Sequence, residues 1–363
     1  MLEVQRFLRS GGTVDGLLKT YAIKSRRHPV FPSLVLLKYD QIASDFSSQI
    51  VRECRGLILD ESEDWRVVCR SFDKFFNHGE GHAAPIDWST ARVQEKLDGS
   101  LVTIYHYSAA DNVPWWHAAT SGSPDAGGQV HNEDGLTFDQ YFWQTFLAQE
   151  GRLPNDADIC VSFELMGPHN RIVVEHPKAH LRVIGCRRIS TGENLTVEFA
   201  SSATNIPPVR SFRLSSYKEI GETFPTMSPL IQEGYVVVDG DWNRVKVKSP
   251  AYVALHHAKD GMTERAFMDI ARRGETSEVE AAFPEIAARI EATRAGFMGV
   301  RERIANDFEA IKDAGDQKSF AMLAVPHPWA GVLFQMRKGT PIGDALLAVD
   351  VDKLISWAGK VAS

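Results

Sequence analysis

Between Pro32 and Lys248 apolar residues recur at every second position in short runs closed by turn residues, and after Pro250 the recurrence lengthens to steps of three and four. That change of period restricts the chain to an α+β plan, a region of antiparallel sheets with few helices followed by an all-helical C-terminal region. Strands are expected at 33–39, 54–60, 65–72, 101–107, 159–166, 171–175, 181–189, 235–239 and 244–248. One clear helix interrupts them, at 136–149, where Phe138, Phe142 and Phe146 fall on one face. Past Pro250 the longest periodic segment is 285–313, in which Ile286, Ile290, Thr293, Phe297, Val300, Ile304, Phe308 and Ile311 form one stripe. Shorter helices are expected at 252–272, 318–324, 329–336, 342–348 and 351–361, set apart by Pro326, Pro328, Gly339 and Pro341. For 363 residues this gives two domains, 1–260 and 261–363.

A hydrophobic content of 44% allows a substantial core without staples. The four cysteines, Cys54, Cys69, Cys160 and Cys186, are far apart in apolar surroundings and read as reduced core thiols. The pair His256-His257 has no second ligand cluster at metal spacing, which argues against a structural zinc. A formal net charge of −7 gives no global attraction for a polyanion, so any nucleic-acid contact must come from local basic clusters. Residues 1–10 mix Glu3, Arg6 and Arg9 into the apolar positions, unlike a secretory signal, and no apolar run approaches the ~20 residues that span a bilayer. An intracellular protein with no membrane partner is the expectation.

The stretch Glu95-Lys96-Leu97-Asp98-Gly99-Ser100 places an amine where one strand ends and a tight turn leads into the next. An amine held on a rigid sheet becomes a nucleophile when burial or neighbouring positive charge favours its neutral form. In Arg244-Val245-Lys246-Val247-Lys248 the pleat sends the two valines to one face and Lys246 and Lys248 to the other, ~6.5 Å apart, where a phosphate between them relieves their repulsion. A solvated strand face is the other reading of the same pattern. Glu164 lies opposite the core face formed by Val161, Phe163 and Leu165, and there it serves a ribose hydroxyl, a metal ion or a salt bridge to Arg171. Arg55 beside Gly56 can reach a phosphate with its planar guanidinium, and Lys74 can do so next to Phe75 and Phe76. Gly79-Glu80-Gly81 with Ala84 imitates a dinucleotide fingerprint, but Pro85 follows where a helix must open, and no phosphate-loop sequence occurs.

In order along the chain, Glu53-Cys54-Arg55-Gly56, Lys74-Phe75-Phe76-Asn77, Lys96-Leu97-Asp98-Gly99-Ser100, Phe163-Glu164 with Asn170-Arg171-Ile172-Val173, Glu233-Gly234-Tyr235-Val236-Val237 and Lys246-Val247-Lys248-Ser249 with Tyr252 resemble the ATP-dependent RNA ligases of the phage RNA ligase 1 type, over roughly residues 35–260. The resemblance implies an antiparallel-sheet nucleotidyltransferase domain, with the helical domain appended for substrate docking. It implies that Lys96 attacks ATP to form a lysyl-AMP, that AMP passes to an RNA 5′-phosphate, and that a 3′-hydroxyl then seals the strand. Lys246, Lys248 and Arg55 match catalytic positions, and Lys74, Phe76, Glu95, Glu164, Glu233 and Tyr252 match nucleotide-contacting ones. Glu164 and Glu233 are the implied metal carboxylates, with Mg²⁺ or Mn²⁺ screening the triphosphate. The implied partners are single-stranded or nicked-loop RNA ends, the implied setting is the cytoplasm of a bacterial or phage-infected cell, and no protein partner is implied.

Two features depart from that pattern. Ser121 of Thr120-Ser121-Gly122-Ser123 stands where the family commonly carries a basic residue, with Arg187 or Arg188 as candidate substitutes. The helical region holds no matching motif, and Arg265, Arg272 and Arg273 are either RNA contacts or a solvated helix face. DNA ligases and capping enzymes share several of the motifs, but they usually append a β-barrel where this chain turns helical. A non-catalytic RNA-end-binding protein is the other alternative, although it has little use for three intact lysines.

Overall fold

The computed structural model describes residues 1–108, 115–130, 135–257, 263–282 and 286–359. The chain divides into two compact units, Met1–Tyr252 and Val253–Ser363, and the expected boundary at 260 lies outside the described residues.

The first unit holds the strands β1 (Ile23–Arg27), β2 (Leu34–Tyr39), β3 (Arg55–Asp60), β4 (Arg66–Cys69), β5 (Phe76–Asn77), β6 (Arg92–Lys96) and β7 (Ser100–Tyr107). It continues with β8 (Trp115–Thr120), β9 (Ile159–Met166), β10 (His180–Arg188), β11 (Asn194–Leu195), β12 (Ser211–Phe212), β13 (Gly234–Val238) and β14 (Arg244–Lys248). They form three sheets, ordered β1-β2-β3-β4, β11-β10-β9-β7-β8 and β12-β6-β13-β14-β5. Strand pairing is antiparallel throughout the described residues except between β14 and β5. The α+β arrangement expected from the change of period is therefore what the chain forms.

The second sheet is covered on both faces, which is why β9 is buried at every position but Glu164, its one half-open residue. On one side Tyr105, Ala119 and Cys160 pack with Leu34, Leu36, Ile58 and Val68 of the first sheet. On the other, Phe142 and Phe146 of the helix Phe138–Ala148 pack with Val161 and Phe163, each such ring contributing about 1.5–3 kcal/mol by leaving water. That helix begins at Thr137, whose hydroxyl accepts from the Gln140 N–H while the Gln140 side chain caps Thr137 in return. The outer face of the first sheet is closed by Val4, Leu8 and Leu17 of two N-terminal helices.

Three local expectations need correction. Residues 171–175 are not a strand: after a 3-10 turn at Pro168–Asn170, the Val173 and Val174 N–H groups donate to the Asp98 carboxylate instead of to a neighbouring strand. β1 escaped detection because its Lys-Ser-Arg-Arg portion is exposed and shows no alternation. Short helices such as Val197–Thr204 and Tyr217–Thr223 span too few turns to display a period.

The described part of the second unit is helical, with Glu264–Arg273, Thr276–Ala282, Ala287–Ile311, Gln317–Ala324, Ala330–Arg337, Ile342–Leu347 and Val351–Gly359. Ile290, Phe297, Val300, Ile304 and Ile311 form the buried stripe of its longest helix. No described helix is long and apolar enough to cross a membrane.

Candidate active site

The register of the third sheet sets two lysines on either side of one glycine. Lys96 ends β6 and Lys248 ends β14, and both pair with Gly234 at the start of β13. A Cβ on Gly234 would lie 2.3 Å from the Val247 carbonyl oxygen, so only glycine lets these strands close at that point. The preceding residue, Glu233, reaches back between them: its Oε2 is 2.8 Å from Lys96 Nζ and its Oε1 is 3.0 Å from Lys248 Nζ. Glu233 is only 3% exposed while the two lysines are 20% and 13% exposed, so a buried carboxylate holds both ammonium groups at the edge of an opening.

That opening is a cavity of about 270 Å³, near the small end of the ~300–1,000 Å³ typical of small-molecule sites. Its lining is of two kinds. Leu97, Leu101, Ile184, Val209 and Val236 supply apolar surface, and Arg55, Lys96, Arg244, Lys246 and Lys248 supply five cations. Along β14 the pleat buries Val245 and Val247 and leaves Arg244, Lys246 and Lys248 facing the other way. Phe75 stands 5.4 Å from the Arg55 guanidinium and 5.7 Å from Lys246 Nζ, Phe72 stands 5.0 Å from the Arg244 guanidinium, and Tyr252 stands 5.7 Å from Lys248 Nζ, so aromatic rings neighbour four of the five. Arg55 Nη1 is buried and has no hydrogen-bond partner among the described residues, a donor that an entering anion would satisfy.

Burial disfavours charge here on both signs. It pushes the Glu164 carboxyl up to about 7 against the pull of Lys96 and Arg55, with Glu233 adding repulsion. At neutral pH Glu164 is therefore close to half protonated. Burial also raises the Glu95 carboxyl, opposed by Arg210, Arg182 and His180. Arg244 is lowered to about 10, by burial first and then by the neighbouring Arg187. Glu164 sits on the cavity wall among Lys96 and Arg55, and Arg171 instead pairs with Glu175 at 3.8 Å.

Several motif residues hold the lysine turn in place from behind. Asp98, 4% exposed, accepts from the Val173 and Val174 N–H groups at 2.9 and 2.7 Å through Oδ2 and from the Tyr252 hydroxyl at 2.8 Å through Oδ1. Asn170 Nδ2 donates to Ser100 Oγ at 3.0 Å and to the Leu165 carbonyl at 2.6 Å. Tyr252 is itself buried, its ring 5.7 Å from Lys248 Nζ, so it braces the site without lining it.

Two further sequence candidates lie off the cavity wall. Lys74 Nζ rests 4.9–5.4 Å from the rings of Tyr39, Phe46 and Phe76, and Phe76 is buried against Phe46 and His82. Of the Phe-Phe pair it is Phe75 that meets the cavity. Sequence reasoning left Phe75 and Phe76 as alternatives for packing on a base or in the core, and it passed over Gln94 and Arg244. Arg244 was legible, since the alternation that groups Lys246 with Lys248 includes it; nothing in the sequence separates Phe75 from Phe76. Both Glu233 oxygens are held by lysines, Glu164 stands on the cavity wall, and no group of three or more His, Cys, Asp or Glu among the described residues could hold a metal.

Arg187 and Arg188 pair with Asp73 and with Asp156 and Asp158, and they line a different hollow. In the helical unit Arg265 pairs with Asp350 and Asp352, while Arg272 and Arg273 both pair with Asp269. Arg272 also donates to the Leu347 and Val349 carbonyls, which makes it a tie between helices.

Comparison with known proteins places residues 53–252, more than half of the chain, under a family model described as RNA ligase, of the T4 RNA ligase 1 type. A putative bifunctional polynucleotide kinase/RNA ligase of Autographa californica nuclear polyhedrosis virus is 29% identical over 94% of this chain and 50% of its own length. An RNA ligase of Rhodothermus phage RM378 is 26% identical over 65% of this chain and 67% of its own. The chain thus spans about half the length of the viral relative. An archaeal ATP-dependent RNA ligase of known structure superposes with a TM-score of 0.47 at 16% identity, covering 80% of this chain and 74% of that one.

Proposed function

This chain belongs to the RNA ligase family of the T4 RNA ligase 1 type, and from that membership we propose that it joins RNA 5′-phosphate and 3′-hydroxyl ends with ATP as co-substrate. Lys96 is the nucleophile. Its Nζ forms a bond to the α-phosphorus of ATP, the bond to the bridging oxygen breaks, and pyrophosphate leaves with that electron pair while the amine loses a proton. The adenylate then passes to the phosphate of an RNA 5′ end, and the 3′-hydroxyl of a second end displaces AMP to form the phosphodiester. The observation that carries this reading is the junction at Gly234, where one buried glutamate holds Lys96 and Lys248 at the wall of a cavity lined both by apolar side chains and by a surplus of cations.

The apolar lining suits a nucleobase, and Glu164 is placed to accept from a ribose hydroxyl in its charged form. Arg55, Arg244, Lys246 and Lys248 are donors for phosphate oxygens, and phosphoryl transfer depends mostly on such positioning and charge neutralisation. A divalent ion would screen the triphosphate, and Glu164 and Glu233 are the carboxylates that would hold it, directly or through water. Residues 1–260 make up the adenylyl-transfer domain and residues 261–363 dock the RNA.

The test is incubation of the full chain with Mg²⁺ and α-labelled ATP. A labelled protein band on a denaturing gel, lost in Lys96→Ala, is the expected result, and no band from the unaltered chain sinks the proposal. Circles formed from a 5′-phosphorylated single-stranded RNA but not from the matching DNA then assign the substrate. Sealing of DNA alone would identify a DNA ligase, and a chain that binds RNA ends without labelling would be an end-binding protein.

A further inference from the structure

We propose that Lys38 is a second cation for the outer phosphates of ATP, working beside Arg55 to bind and release the pyrophosphate; this rests on the ligase reading above. In the first sheet Leu37 pairs with Leu57 and Lys38 pairs with Arg55, so Gly56 is the extra residue of a bulge. Paired residues of antiparallel strands share a face, and the bulge therefore sets Lys38 beside Arg55, which lines the cavity while Lys38 stands next to it off the wall. Gly56 has φ +78°, and a Cβ there would lie 2.8 Å from Ser121 Cα: the backbone of the turn after β8 rests directly on this bulge. At the next residue, a Cβ on Gly122 would lie 3.5 Å from Lys38 Nζ. The Lys38 ammonium thus stands over the Ser121-Gly122 turn, next to the residue whose buried Nη1 lacks an acceptor.

The arrangement also answers which cation serves the position where Ser121 brings none. Arg187 and Arg188 line another hollow, whereas Lys38 reaches the turn itself. Negative charge builds on the departing pyrophosphate in the first step, and its departure is eased by cations placed beyond the α-phosphate. Arg55 and Lys38 offer two such groups from adjoining strands on a scaffold fixed by the bulge.

The prediction separates the step that releases pyrophosphate from those that do not. With the full chain, Lys38→Ala should slow lysyl-AMP formation at least tenfold at limiting ATP, while sealing of an RNA already carrying a 5′-adenylate stays within twofold of the unaltered protein. A second variant, Lys38→Ala with Ser121→Lys, should regain most of the lost labelling, because an ammonium from position 121 can occupy the space over the same turn. Unchanged labelling in Lys38→Ala, parallel loss of both reactions, or a double variant no better than the single one overturns the inference. Absence of labelling in the unaltered chain is a separate result, one that removes the ligase reading itself.

Discussion

The first unit contains two hollows rich in cations, and the larger is not the one with the chemistry. The hollow bordered by Arg9, Arg66, Arg70, Arg187 and Arg188 measures about 470 Å³, against about 270 Å³ for the cavity at Lys96. Each of its guanidinium groups meets an acid: Asp64 for Arg9, Asp60 for Arg66, Asp73 for both Arg70 and Arg187, and Asp156 with Asp158 for Arg188. Its one loose end is Arg187 Nε, which has no acceptor among the described residues. The smaller cavity has five cations against three carboxylates, Glu95, Glu164 and Glu233, and burial leaves Glu164 half neutral near pH 7. What sets the smaller cavity apart is neither volume nor the number of arginines but the meeting of five cations and a set of apolar side chains on one wall.

The sharpest break of that comparison is at Lys96. Lys96→Ala removes the only amine that both ends β6 and meets Glu233, and labelling by α-labelled ATP should fall by on the order of 10³-fold or more. Next in size is Glu233→Gln, which keeps the shape but leaves two half-buried ammonium groups facing each other without a counter-charge. Removing one partner of a buried ion pair costs about 3–5 kcal/mol, so denaturant unfolding should show a loss of that order. Labelling should fall roughly 10²-fold as the two lysines move apart, since each 1.4 kcal/mol is a factor of ten. Retention of normal labelling would mean that the shared carboxylate does not set their positions.

Glu164 gives the third effect, and its sign is set by burial. The folded chain keeps a proton on Glu164 up to about 7, whereas an unfolded glutamate releases it near 4.5. Between those values the folded state binds more protons than the unfolded one, so this residue's contribution becomes steadily less favourable as pH rises through the window. Glu164→Gln should have equal stability at pH 4 and be more stable by about 2–3 kcal/mol at pH 8. Urea unfolding at the two values checks it. A variant that is less stable at pH 8 would show that Glu164 is held there as a paired carboxylate.

Much of this plan can be read from the sequence because period-2 runs and a tight Lys-x-Asp-Gly turn are local signals. Val245 and Val247 alternate with Arg244, Lys246 and Lys248 in the chain as they do in the strand. What the chain order conceals is pairing between distant segments. That Lys96 and Lys248 both meet Gly234 is a matter of register across three strands, and no local pattern announces it. The same holds for Lys74, whose neighbours Tyr39 and Phe46 come from β2 and the segment after it and draw the ammonium into an aromatic pocket. Residues 171–175 misled because Ile172, Val173 and Val174 are β-branched, while their N–H groups are claimed by a carboxylate some 75 residues away in sequence.

Tyr252→Phe tests that carboxylate. It removes one donor from Asp98 and leaves the two backbone N–H groups in place, so the expected cost is about 1 kcal/mol in unfolding. Because Asp98 lies two residues from Lys96, labelling should fall by several-fold with little change in apparent ATP affinity. A raised ATP requirement with an unaltered maximal rate would place Tyr252 in contact with the nucleotide instead of behind the turn.

The smallest effect belongs to the larger hollow and is the control that gives the others meaning. Arg188 is only part-buried and is shared between Asp156 and Asp158, an arrangement typical of surface pairs that contribute little. Arg188→Ala should leave labelling unchanged and leave the unfolding midpoint essentially where it is. The two aspartates keep other partners, since Asp158 accepts from Ser190 and Asp156 accepts from the Asp158 N–H. If Arg188→Ala instead weakened RNA sealing while sparing lysyl-AMP formation, the larger hollow would have to be read as an RNA contact, and the character of the lining would lose its power to tell the two regions apart.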